Sequence, residues 1–123
     1  MFELLLDIKN TLQAIGAQSI ELGIEEGISA NDTPFIRIVP SLNESGEYNR
    51  ENLEFEIYIG TDIKDTFQET YQEHMDFIKD IKNALHLKQI GSGICYFQRA
   101  VFDKDVVKNF KASMLEFTLK DIS

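Results

Sequence analysis

The sequence predicts an α+β fold, an antiparallel sheet of four to five strands packed against two helices in the order α-β-β-β-α-β-β. Three observations predict it. Apolar residues recur at helical spacing near the N-terminus and again over residues 65–87, several segments between and after them alternate apolar with polar, and no linker, repeat or low-complexity tract divides the chain. Residues 1–123 therefore read as a single domain.

The first helix is carried by Met1, Leu5, Ile8, Leu12 and Ile15, spaced four and three apart so that they share one stripe. Gly16 follows them, where a left-handed C-cap needs no Cβ. Phe2, Leu4 and Leu6 widen the apolar face beyond that stripe. Ile20, Leu22 and Ile24 then alternate with Glu21, Gly23 and Glu25 as a strand.

Residues 27–34 read as a turn, and Phe35 to Val39 as a second strand, apolar on both faces except at Arg37. Pro40 closes that strand, and Ser41 to Asn52, predominantly polar, reads as a long exposed loop. Leu53, Phe55, Ile57 and Ile59 alternate with Glu54, Glu56 and Tyr58, the clearest strand in the chain. These three strands are expected to form an antiparallel meander.

The long helix is expected over Asp65 to Leu87, roughly 33 Å at ~1.5 Å per residue. Thr66 and Glu69 have capping-box spacing, and Phe67, Tyr71, Met75, Ile78, Ile81 and Leu85 form the predicted buried stripe. Gly91-Ser92-Gly93 releases the chain into two closing strands. The first carries Ile94, Tyr96 and Phe102 on one side with Phe97 and Val101 on the other; the second carries Leu115, Phe117 and Leu119. Between them, Asp103 to Lys111 fits either a hairpin tip or a helical turn.

Composition bounds the function. With 43% hydrophobic residues and nine phenylalanines, the chain can bury a core without metal or disulfide, and the single Cys95 forbids an internal disulfide. The N-terminal segment lacks a basic n-region, and no run of 18 apolar residues occurs, so the chain reads as soluble and cytosolic. Net charge is −9, with twelve Lys and Arg scattered among 21 acids. Affinity for nucleic acid comes mainly from basic side chains that displace counterions, so specific nucleic-acid binding and binding to anionic membranes are disfavoured.

Nothing in the sequence assembles a catalytic, cofactor or metal site. Cys95 lies in an apolar strand pattern, which implies an inert thiol. His74 sits beside the helical stripe and His86 near that helix's C-terminus, where a cation interacts well with the dipole; both read as structural. The two histidines have no metal-ligand spacing, the carboxylates no calcium-loop spacing, and Gly91-Ser92-Gly93 no phosphate-cradle context. A small-molecule substrate is accordingly not expected.

The sheet's outward face remains. It is expected to carry Glu21, Glu25, Glu54, Glu56 and Glu116 with Arg37, Arg99 and Lys120, the basic residues lying between acids because like charges opposite one another destabilise a sheet. Tyr58, Phe97, Val101 and Met114 are expected to share it. Apolar residues set among charges are what a subunit contact looks like. Arg37, Glu54, Glu56, Tyr58, Phe97, Arg99, Val101, Met114 and Glu116 are therefore the candidate subunit or partner interface.

The size, the N-terminal helix, the meander with its polar segment, the long capped helix and the closing strand pair resemble the tail-terminator and tail-completion proteins of long-tailed bacteriophages (the lambda minor tail protein U-like group). The resemblance covers nearly the whole chain and rests on element order. It implies a structural protein that self-associates into a ring, usually a hexamer, at the head-proximal end of the tail tube. It also implies tail-tube and head-connector proteins as partners, a location in the virion tail after assembly in the host cytoplasm, and an acidic channel through which DNA slides. Residues 41–52 would then contact neighbouring subunits or tube protein. An acidic binding module that blocks a basic partner, such as an immunity or inhibitor protein, and a small enzyme are the alternatives.

Overall fold

Apolar periodicity sets both helices, but only one of them buries the stripe it advertises. In the computed structural model, which describes residues 1–103 and 109–123, helix α1 spans Phe2–Leu12 and buries Leu5, Ile8 and Leu12. Phe2 and Met1 are exposed. A short 3-10 turn, Gln13–Ile15, ends at Gly16 in the left-handed region (φ 82°), as its position after the last apolar residue predicts.

Helix α2 spans Phe67–Leu85, about 28 Å by the ordinary rise per residue. Thr66 caps it, its hydroxyl accepting from the Glu69 N–H at 3.1 Å. Its buried residues are Thr70, His74, Phe77, Ile78, Ile81 and Leu85. The expected stripe is thus corrected in the first half of the helix: Phe67 is 75% exposed and Met75 42%. Thr70 and His74 take their place: the sheet offers the His74 ring two hydroxyl groups, Thr61 and Ser113, while Thr70 Oγ1 donates to the Thr66 carbonyl and accepts from the Lys64 N–H.

Among the described residues the strands are six: β1 (Ser19–Leu22), β2 (Phe35–Ser45), β3 (Glu51–Asp62), β4 (Gln89–Ile90), β5 (Gly93–Phe102) and β6 (Phe110–Ile122). They form one mixed sheet in the order β1-β2-β3-β6-β5-β4. The expectation of four or five antiparallel strands is corrected twice. Gln89 and Ile90 fold back on Gly93 and Ile94 as an extra two-residue strand, and β1 pairs parallel to β2. The segment between them, residues 23–34, reads locally as turns yet is about the length that a parallel return requires. All other pairings are antiparallel.

The predicted loop over Ser41 to Asn52 is instead an extended hairpin arm. Asn43 pairs with Leu53 and Ser45 with Glu51, and the Gly46 N–H donates to the Arg50 carbonyl at 2.6 Å to close the turn. Residues 40–51 are all exposed. With nothing covering either face, these strands carry no apolar alternation, and polarity alone cannot separate a bare ladder from a loop. The choice between tip and helical turn at Asp103 to Lys111 falls mostly on residues 104–108, outside the described residues.

The core lies between the helices and one face of the sheet. Both helices and all six strands contribute to it, through residues such as Ile8, Ile81, Ile36, Phe55, Ile57 and Phe117. Phe55 and Phe117 stack across β3 and β6 with centroids 5.5 Å apart. No helix among the described residues is long and apolar enough to cross a membrane.

Candidate interaction surface

Among the described residues, strand alternation leaves the opposite face of the sheet free of the two α-helices. Register places Arg37, Tyr58, Met114 and Val101 in one row across β2, β3, β6 and β5. The adjacent row runs Val39, Glu56, Glu116 and Arg99, and Glu54 lies beyond it, opposite Thr118. Eight of the nine predicted interface residues therefore share this face.

Phe97 is the exception. A one-residue shift between Phe97 and Arg99 breaks the alternation of β5. Phe97 consequently packs on the helical side, edge-on to Phe117 and under the Lys82 ammonium at 4.4 Å. Val101, beyond the shift, emerges on the open face and is 42% exposed.

Arg37 is on the expected face but offers no free surface. It is 3% exposed, and its guanidinium reaches Glu25 at 2.8 Å and donates to the carbonyls of Ser19 and Ile36. The residue pins the β1–β2 connection over the sheet.

The charge pattern departs from simple interleaving. Glu56 and Glu116 stand directly opposite one another, and Arg99 lies on the far side of Glu116. The Arg99 guanidinium grips Glu116 through two donors, Nη2 at 3.0 Å and Nε at 2.5 Å. Hydrogen bonding from Arg99 holds the Glu116 carboxyl below its ordinary range. The same pairing raises Arg99, whose charge stays largely solvated. Partial burial, then the neighbouring Glu56 carboxylate, raises the Tyr58 phenol.

Beside these rows is an apolar groove of about 330 Å³ that the sequence did not signal. Ile24, Ile28, Phe35, Val101, Phe110 and Met114 line it. Phe35 folds over Gly60 and meets Phe110 edge-on at 5.3 Å. The lining comes from five separate stretches of chain, none of which is unusual alone.

Two of the groups with catalytic potential, His74 and Cys95, are closed off. His74 is fully buried, with Nδ1 2.7 Å from the Thr61 hydroxyl and Nε2 2.6 Å from the Ser113 hydroxyl. Burial, reinforced by the Lys111 charge, lowers its pKa to about 4. Burial likewise pushes the Cys95 thiol up to about 12. The exposed His86 accepts a hydrogen bond from the Phe97 N–H at 3.0 Å. Among the described residues, no three His, Cys, Asp or Glu side chains converge as a metal-binding group.

The fold is similar, over almost the full length of both chains, to that of a chain in a solved structure titled "Virion of native gene transfer agent (GTA) particle". The chain shares its fold with a virion component. The superposition has a TM-score of 0.56 and 12% sequence identity, and covers 99% of this chain and 91% of the virion chain. At that identity the likeness is one of fold. No family model matches the sequence, and no curated protein matches it.

Proposed function

We propose that this chain is a structural assembly protein of a phage-type particle, and that it acts as a tail-terminator-like ring at the head-proximal end of a tail tube. The observation that carries this reading is the end-to-end likeness of fold to a chain of a gene-transfer-agent virion. Two features of the molecule support it. The helix-free face combines an ion-paired row with exposed apolar residues, as subunit contacts do. The net charge of −9 would let a passing duplex slide rather than hold it. In this role the partners are further copies of the chain, tail-tube protein and a head connector, and the location is the virion tail.

The test is arrest of polymerisation. Tail-tube protein from the same genome is allowed to assemble with and without this chain, and tube lengths are measured by electron microscopy. The proposal expects shorter tubes with one end capped. Unchanged lengths together with uncapped ends would overturn it.

A further inference from the structure

The assembly reading leaves open how one copy meets the next, and the hydrogen-bond alternation at the two flanks of the sheet bears on that question. On β5, the Cys95 N–H donates outward to the Lys88 carbonyl at 2.9 Å, and its carbonyl accepts from Leu87 at 2.7 Å. Phe97 also faces outward, its N–H donating to His86. After the one-residue shift at Gln98, the outward positions pass to Ala100 and Phe102, consistent with Asp103 N–H turning back toward Ala112. Strand β4 reaches only Gly93 and Ile94, so among the described residues no strand pairs with Ala100 or Phe102 on that side.

The other flank is similarly open. Strand β1 covers β2 only as far as Ile38, whose carbonyl accepts from Gly23 at 2.9 Å. Pro40 holds the next outward position and has no N–H. A register shift follows between Pro40 and Leu42, after which Asn43 and Ser45 face outward. Each flank thus presents outward-facing backbone on two residues spaced two apart.

We infer that these flanks pair between copies: the β5 edge of one molecule adds antiparallel to the β2 arm of the next, with Ala100 opposite Asn43 as the outward pair that bonds and the register shifts of both strands, at Ser41 and Gln98, bounding the contact. Side-chain chemistry favours that register. On the open face it sets Val101 opposite Leu42, which are 42% and 46% exposed, and Arg99 opposite the exposed Glu44. Direction agrees as well. Strands β2, β3, β6 and β5 alternate, so β5 runs antiparallel to β2. A neighbour related by simple rotation therefore presents its β2 in the right sense.

The stagger also suits closure. Ala100 lies level with Ile57 and Asn43 with Leu53, an offset of about 13 Å at ~3.3 Å per residue. Over four strand spacings of ~4.8 Å this tilts the strands by about 35°, within the range of closed barrels. A head-to-tail contact of this kind joins two different surfaces, and it gives a ring when the rotation between copies closes and an open filament when it does not.

The inference rests on the assembly reading, and the experiment separates the two. The variant carrying both Asn43→Cys and Ala100→Cys is treated with a short bis-maleimide, beside each single variant. Cys95 is buried and stays out of the reaction. The expected result is a ladder of covalent multimers from the double variant and none from either single one. Native mass spectrometry is run on the same samples. Multimers by mass without a crosslinked ladder, or crosslinked dimers from a single variant, overturn the edge pairing while assembly stands. Monomers alone at every concentration, with assembled tail-tube protein present as well as absent, overturn both.

Discussion

His74 Nε2 lies 2.6 Å from Ser113 Oγ and joins helix α2 to the central strand β6 inside the core. The other ring nitrogen meets Thr61 on β3. A neutral imidazole carries one donor and one acceptor, so it satisfies both hydroxyls at once. Protonation would remove the acceptor and bury a charge near Lys111.

Stability should therefore fall in mild acid. The folded pKa, about 4, is below the unfolded value of about 6.5. The contribution is present above pH ~6.5 and is lost as pH falls toward 4, reaching about 3 kcal/mol at most. The measurement is denaturant unfolding of the wild type and His74→Gln across that range. The stability gap between them should narrow as pH drops; a constant gap would contradict the assignment.

Phe55 and Phe67 have opposite fates despite similar sequence patterns. Phe55 is fully buried against Phe117, so Phe55→Ala should cost about 3–5 kcal/mol. Phe67 is largely exposed, and Phe67→Ala should change stability by less than about 0.5 kcal/mol. Chemical denaturation of both variants checks the pair.

Gly60 lies under the Phe35 ring, which a Cβ would overlap. Gly60→Ala should displace that ring from the apolar groove at a cost of about 1–3 kcal/mol. Thermal unfolding would register the loss. Gly60→Ala combined with Phe35→Ala should lose less than the two single costs added together, since the clash disappears with the ring.

Arg37 joins strand, loop and carboxylate, so Arg37→Met keeps the stem but leaves the Ser19 and Ile36 carbonyls without this donor. A loss of about 1–3 kcal/mol is expected, short of the full cost of breaking a buried pair because Glu25 remains half-exposed to water. Hydrogen exchange should show faster opening of residues 23–34.

Much of this was legible in the sequence because burial and periodicity coincide there. Strand β3 alternates cleanly since one face meets helices and the other does not, and the same rule put eight of nine candidate residues on one face. The failures share a cause: a local pattern does not report its tertiary partner. His74 gives no sign of full burial until Thr61 and Ser113 meet its ring, and Phe67 looks like core yet stays largely exposed. The shift at Gln98 turned Phe97 to the helices without a glycine or proline to announce it. The hairpin arm carried no alternation because neither of its faces is covered.

Native mass spectrometry over a concentration series, with and without tail-tube protein, tests the central claim most directly. The account predicts one multimer of fixed stoichiometry, formed alone or on docking to tube protein. A monomer under every condition, with tube protein present and assembled, would contradict it.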